Sequence, residues 1–399
     1  MESICTDPIF VVGFPRSGTT LLTAMLAAHS LVASGPETHV FAKLSRREKD
    51  DAVSDPGWPD LAATLLSELA VTGLIISDSY GLTREDIASA LGAKLPSLRA
   101  LQEVFPEAVA NRQRKPIWIE KSPAHLRHVR EIRASFPDAR IIRICRDPRD
   151  VVLSMSRTPF ANPDPLACCI RIHEDHARSA DFFRSDSLSR TVLFENLLSD
   201  PEAELRTLCR FLRIPFERSM LDFQDDARAL VTEGERWKTN VFRPLDRGRA
   251  YAWKRSFSGL VETAVSTWCH EAIAESGYER PVVAIRKLAA IGMTQEIVQR
   301  HSEFFAELLA AGILPIRSKD LAQPGDVLVF TAVESAPGRS LLSTLKRAVL
   351  FLFRRLTGRR TFLVKIPDPS RRTFAERLFE KSLVSVIRPA TDLLGATGH

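Results

Sequence analysis

The first ordered pattern in the chain is a short apolar run, Ile9-Phe10-Val11-Val12, followed by turn chemistry from Gly13 to Gly18. Thr20 to His29 comes next, with Leu21, Leu22, Met25 and Leu26 on one helical face. Strand, loop and helix are predicted in that order. Three more apolar runs read as strands: Ile117 to Ile119, Ala139 to Cys145 and Thr191 to Phe194. Each is followed by a stretch of helical period, and strands alternating with helices predict an α/β fold with a mostly parallel sheet flanked by helices on both faces.

From about position 41 to 115 the pattern is helical, clearest over Leu61 to Leu69 and Thr83 to Leu91, with Thr83 as N-cap and Asp86 three residues on. This reads as a helical insertion over the sheet edge, where a substrate pocket could form. Glu202 to Leu212 predicts another amphipathic helix, begun by Asp200-Pro201 and stopped before Ile214-Pro215. Val261 to Ser276 predicts a further one ending at Gly277. Beyond Tyr278-Glu279-Arg280-Pro281 the character changes, so residues 1–281 are expected to form the main domain and 282–399 a basic C-terminal extension. Within the extension, Gln323-Pro324-Gly325-Asp326 reads as a turn into a strand at Val327 to Val333. Leu341 to Leu356 reads as a basic amphipathic helix, flanked by Lys346, Arg347, Arg354 and Arg355 and too short to cross a bilayer.

Composition changes this picture only in its charge. A hydrophobic fraction of 45% and a charged fraction of 26% are ordinary for a globular protein. The net charge of +6 is unevenly spread: positions 282 onward hold 18 Lys and Arg against 10 Asp and Glu, and the residues before them 37 against 39. The basicity belongs to the extension and gives no reason to expect a nucleic-acid partner for the main domain. Six cysteines at 5, 145, 168, 169, 209 and 269 form no Cys-x-x-Cys pair and read as structural thiols. Met1 to Pro8 is acidic without an apolar core, so no signal peptide is expected there, and a cytoplasmic location is.

The strongest chemical signal is Gly13-Phe14-Pro15-Arg16-Ser17-Gly18-Thr19-Thr20. Two glycines five apart between a strand and a helix build a loop whose amides surround an anion. A nucleoside triphosphatase needs Lys after the second Gly; here Thr19 stands there and the cation is Arg16. A second anion grip is expected at Arg146-Asp147-Pro148-Arg149-Asp150-Val151-Val152-Leu153-Ser154, where Arg146 ends a strand and Ser154 lies on the following helix.

These segments resemble the PAPS-dependent sulfotransferase family, and in particular its bacterial members similar to carbohydrate and tyrosyl-protein sulfotransferases. The resemblance implies a P-loop-type sheet and transfer of a sulfuryl group from 3′-phosphoadenosine-5′-phosphosulfate (PAPS) to a hydroxyl. It assigns Arg16, Ser17, Gly18, Thr19 and Thr20 to the 5′-phosphosulfate, and Arg146 with Ser154 to the 3′-phosphate. Gly35-Pro36-Glu37-Thr38-His39 is similar to the segment that carries the family's general base, which would be Glu37, its carboxyl pKa raised by partial burial. His39 beside it is a candidate for contact with the substrate.

Trp118-Ile119-Glu120-Lys121-Ser122-Pro123 resembles a segment of bacterial and Golgi-type relatives. It makes Lys121 a candidate for steadying the transferred group, with Glu120 expected to pair with Lys121 or a nearby Arg. Phe194-Glu195-Asn196 and Arg243 through Gly248 to Trp253-Lys254 extend the resemblance, with Phe194 where relatives often carry Tyr, and imply nucleotide contacts from Trp253 and Lys254. His39, His125, His128 and His173 read as surface or pocket residues without metal-ligand spacing, so no metal is expected. The acceptor is open among small hydroxyl compounds, glycans, lipids and tyrosyl peptides. Two rivals compete: a P-loop kinase-like phosphotransferase, and a non-catalytic nucleotide-binding protein that meets a membrane peripherally through its basic extension.

Overall fold

A computed structural model of the protein describes residues 7–71, 73–158, 165–232, 235–257, 265–266 and 269–279, with the strand backbones 289–292, 327–331 and 361–365. It divides into two units, one of residues 1–147 and 175–251 and one of residues 148–174 and 252–399.

The first unit is built on a five-stranded sheet from β1 (Ile9–Gly13), β2 (Val32–Ser34), β5 (Ile117–Lys121), β6 (Arg140–Cys145) and β7 (Ser189–Leu193). A short antiparallel hairpin in the insertion supplies β3 (Ala70–Val71) and β4 (Leu74–Ile75). The sheet order is β2-β5-β1-β6-β7, every neighbouring pair parallel. β1 is therefore central and fully buried. Its alternate side chains leave on opposite faces. Ile9 and Val11 join Leu22, Met25, Ile142, Ile144 and Leu208 in the core cluster. Phe10 packs among Trp118 and Phe136, with ring centroids 5.6 and 5.1 Å away. Each such aromatic contact adds about 0.5–1.5 kcal/mol beyond area burial.

The expected strands and their neighbouring helices are present: Thr19–Ala27 follows β1, and Pro201–Leu212 follows β7 with the Asp200 side chain accepting from the Ala203 amide. β2 was not expected, being only three residues long and reading Val-Ala-Ser. Between β2 and β5 lie the helices of the insertion. Asp60–Ser67 and Arg84–Gly92 match the expected pieces, and Thr83 with Asp86 forms a capping box. The last insertion helix, Leu98–Gln113, packs on the edge strand β2 and on β5.

The second unit contains the helices Pro148–Met155, Trp253–Ser256 and His270–Glu275. It also holds a small sheet in which Val327–Thr331 pairs antiparallel with Ala289–Gly292 and parallel with Thr361–Lys365. The strand expected at Val327 to Val333 is present as Val327–Thr331. The amphipathic helix read at 341–356 lies outside the described residues, as do residues 261–264 and 267–268 of the one read at 261–276, whose later part is the helix His270–Glu275. Among the described residues no helix is long and apolar enough to cross a membrane.

Candidate active site

Because the sheet is wholly parallel, its strands deliver their C-terminal ends to one edge, with the central β1 between two oppositely directed excursions of the chain. That edge is where open α/β sheets collect ligands.

β1 ends at Gly13 and the chain turns through Phe14 to Ser17 into the helix Thr19–Ala27. The Ser17 amide and hydroxyl both donate to the Phe14 carbonyl, at 3.1 and 2.6 Å, and close the loop. No side chain fits at Gly13, where a Cβ would stand 2.5 Å from the Ile144 carbonyl oxygen. Gly18 has φ +103°, and a Cβ there would meet the Phe194 ring at 2.5 Å. The first amides of the helix have no intrahelical acceptor and favour an anion. Arg16, at φ +73°, donates from Nη2 to the Trp237 carbonyl at 2.8 Å.

Arg146 directly follows β6 and is buried. It donates from Nη1 to the Arg16 carbonyl at 3.2 Å and from Nη2 to the Arg249 carbonyl at 2.7 Å. Its guanidinium lies 4.6 Å from the Phe194 ring centre, and that of Arg249 lies 6.0 Å from the same ring. Burial, then repulsion from Arg249 and Arg146, lowers the Arg16 pKa to about 10 against the pull of Glu37 and Glu235. Buried cations that repel one another gain most from a bound anion, so this donor set could hold a phosphate-bearing ligand.

Beside this cradle sits a carboxylate held by three partners. Glu37 lies in the loop after β2, which Tyr80 steadies by donating to the Pro36 carbonyl at 2.6 Å. Lys121, at the end of β5, reaches Glu37 Oε1 at 2.6 Å and Thr20 Oγ1 at 3.5 Å. Lys238 reaches the same Glu37 Oε1 at 2.7 Å, and His39 Nε2 lies 3.0 Å from Oε2. Burial pushes the Glu37 carboxyl upward, but Lys121, Lys238 and His39 outweigh it and hold the pKa well below the usual carboxylate range. The expectation of a raised pKa is overturned, because the residues that bury Glu37 are themselves cationic. Burial lowers the Lys121 pKa despite Glu37, whereas Glu37 and Glu235 raise that of Lys238 against its burial.

Glu120 is not the partner of Lys121 or of an arginine. Neighbouring strand residues point to opposite faces, so Glu120 turns away from Glu37 into a buried network. Its Oε1 accepts from Thr38 Oγ1 at 2.8 Å and Ser122 Oγ at 2.6 Å, and its Oε2 lies 2.8 Å from His125 Nδ1. His125 is accordingly fully buried rather than a surface or pocket residue. Ser122 Oγ also accepts from the His39 amide at 3.0 Å, so this network supports the turn that presents Glu37 and His39.

Ser154, Trp253 and Lys254 belong to the second unit. Ser154 is on the helix Pro148–Met155. Trp253 is buried there: its amide donates to Asp150 Oδ1 at 2.8 Å, and the Arg149 guanidinium lies 4.0 Å from its ring centre. Lys254 Nζ lies 5.6 Å from that ring and 3.9 Å from Glu279 Oε2. Within the first unit, the fold brings Arg16, Ser17, Gly18, Thr19, Thr20, Glu37, His39, Lys121 and Arg146 to one sheet edge. Lys238 was missed by sequence reasoning, since it is 201 residues from Glu37 and sits in no motif. Arg249 lay in a recognised segment without a role of its own. Among the described residues no group of three or more His, Cys, Asp or Glu could hold a metal ion.

The chain resembles curated proteins over about 60% of its length. It is 27% identical over 262 residues to protein-tyrosine sulfotransferase A of Caenorhabditis elegans, covering 62% of this chain and 61% of that one. It is 26% identical over 256 residues to protein-tyrosine sulfotransferase 1 of Homo sapiens, covering 61% and 62%. It therefore spans less than two thirds of the length of those relatives. Among solved structures, it is similar to the sulfotransferase domain from the curacin biosynthetic pathway, with a TM-score of 0.49 and 22% identity over 70% of this chain and all of that one. The model of the sulfotransferase family matches residues 8–218, more than half of the chain, which therefore belongs to the sulfotransferase family.

Proposed function

We propose that this protein transfers a sulfuryl group from PAPS to a hydroxyl acceptor. One observation carries the reading: an arginine cradle for two phosphates and a carboxylate–lysine pair share the C-terminal edge of one sheet, linked by Arg146 to Arg16 and by Lys121 to both Glu37 and Thr20. The acceptor oxygen attacks sulfur as the bond from sulfur to the 5′-phosphate oxygen breaks. The electron pair of that bond leaves on the phosphate, and the acceptor proton goes to Glu37.

Arg16 and the loop amides stabilise the charge that grows on the leaving phosphate. Glu37 is ionised at neutral pH and ready to take the proton, but as a weak base it is effective only once bonding to sulfur has acidified the hydroxyl. Lys121 balances the charge on the sulfuryl oxygens, and His39 orients the acceptor. Arg146, aided by Arg249, recognises the 3′-phosphate, and the motif assigns Ser154 to the same group and Trp253 and Lys254 to the nucleotide. In-line geometry and positioning supply the rest of the acceleration, as in phosphoryl transfer. A cytoplasmic setting suits this chemistry, and the tyrosyl proteins named for its relatives make tyrosyl peptides the first acceptor to try.

Calorimetry with PAP, the desulfated product, tests the reading against AMP and ATP. PAP is expected to bind at least about tenfold more tightly, a difference of about 1.4 kcal/mol. Magnesium-dependent turnover of ATP with no preference for PAP would instead establish a phosphotransferase.

A further inference from the structure

The carboxylate assigned as the base is over-supplied with cations. Two ammonium groups share Glu37 Oε1, Lys121 at 2.6 Å and Lys238 at 2.7 Å, while His39 occupies the side of Oε2. A carboxylate so engaged is a weaker proton acceptor, and withdrawal of one partner from Oε1 would raise its basicity and open that oxygen to an acceptor hydroxyl.

The two lysines are not equally able to withdraw. Lys121 stands on a sheet strand, is fully buried, and has only a long contact to Thr20 besides Glu37. Moving it would strand a charge in the core, which costs several kcal/mol. Lys238 comes instead from the short 3₁₀ segment Arg236–Phe242, outside the sheet. Its Nζ already lies 2.5 Å from Glu235 Oε1. Glu235 is held independently, since its Oε2 accepts from the Thr232 amide at 3.1 Å. Lys238 can thus leave Glu37 and stay paired. The preceding carbonyl, Trp237 O, accepts from Arg16, so one turn touches both the phosphate loop and the base.

We propose that Lys238 is a positioning residue that works as a latch, lowering the basicity of Glu37 while it bridges to that carboxylate and restoring it on retreat to Glu235. The inference rests on Glu37 being the base, but its geometry needs neither nucleotide nor acceptor. The charged and titratable groups facing Glu37 are Lys121 from β5, His39 from its own turn, Lys238 and Glu235 from the 235–242 segment, Arg16 from the phosphate loop and Tyr80 from the insertion. Glu235 also acts on Lys121 and Arg16 through space, but Lys238 is in direct contact with both carboxylates, at 2.7 Å from Glu37 and 2.5 Å from Glu235.

The test follows the Glu37 carboxyl carbon by NMR through an acid titration of selectively labelled full-length protein, with Glu37→Gln used to assign the signal. Lys238→Met is expected to raise the Glu37 midpoint by roughly one to three pH units, as loss of one close opposite charge does. Lys238→Arg should keep it low. Glu235→Gln should lower it further, because the lysine then has no other carboxylate to turn to. An unchanged midpoint in Lys238→Met, or one in Glu235→Gln equal to that of the unaltered protein, would overturn the latch. Neither result depends on PAP binding, so a protein that failed to bind PAP would refute the sulfotransfer reading and leave this measurement standing.

Discussion

The Arg146 guanidinium donates to the backbone carbonyl of Arg16 at 3.2 Å, across 130 residues of chain. Two segments that each look like half of an anion site therefore lie side by side, because β1 and β6 are hydrogen-bonded neighbours in register from Ile9 opposite Arg140 to Gly13 opposite Ile144.

Arg146→Ala removes the cation expected to distinguish a 3′-phosphate from a bare ribose. PAP should then bind no better than AMP, a loss of about tenfold or more in the calorimetric Kd, while AMP affinity changes little. Equal losses for both nucleotides would make Arg146 a support of the loop instead of a phosphate ligand.

Glu37→Gln keeps the shape of the site but cannot accept a proton. PAP affinity should survive within a few-fold, and transfer of radiolabelled sulfate from PAPS to any acceptor the protein uses should vanish. In the unaltered protein the acidic limb of any pH–rate profile should lie below the usual carboxylate value of about 4.3, since Lys121, Lys238 and His39 outweigh burial at Glu37.

Glu120→Ala leaves His125, Ser122 and Thr38 buried around a lost carboxylate. Breaking such a network costs about 3–5 kcal/mol, read as a lower denaturant midpoint. Burial raises the Glu120 pKa, but His125 and the hydrogen bonds from His125, Ser122 and Thr38 outweigh it, so the folded value is depressed. The contribution is therefore fully present above the unfolded carboxyl value and is lost as pH falls through the folded one. Stability of the unaltered protein should drop on acidification below about pH 4, and that of the variant should drop less.

Gly18→Ala and Gly73→Ala separate backbone strain from steric overlap. Both glycines have positive φ, but a Cβ at Gly73 meets nothing within 4 Å, whereas one at Gly18 meets the Phe194 ring at 2.5 Å. Gly73→Ala should cost about 1 kcal/mol in denaturant unfolding. Gly18→Ala should cost several and also lose PAP binding, since Phe194 packs under Arg146.

Local pattern alone specified the strand–loop–helix at Ile9 to Ala27, the capping box at Thr83 and the two arginine segments. Each is a matter of neighbours in sequence, such as apolar runs, glycines at fixed offsets or a hydroxyl three residues before an acid. β2 escaped because three residues carry no period, and it becomes a strand by pairing with β5. The environment of Glu37 escaped for a deeper reason. Its pKa depends on cations from β5 and from a segment 201 residues away, and the sequence around Gly35 to His39 has no means of recording whether burial or charge will win. Glu120 and Lys121 are adjacent in the chain yet end in separate networks, because the pleat sends consecutive side chains to opposite faces. Candidate residues for the chemistry were written in the motifs; which carboxylate is bound to which cation was decided only when the parallel sheet gathered its strand ends, since electrostatic energy follows distance in space and not along the chain.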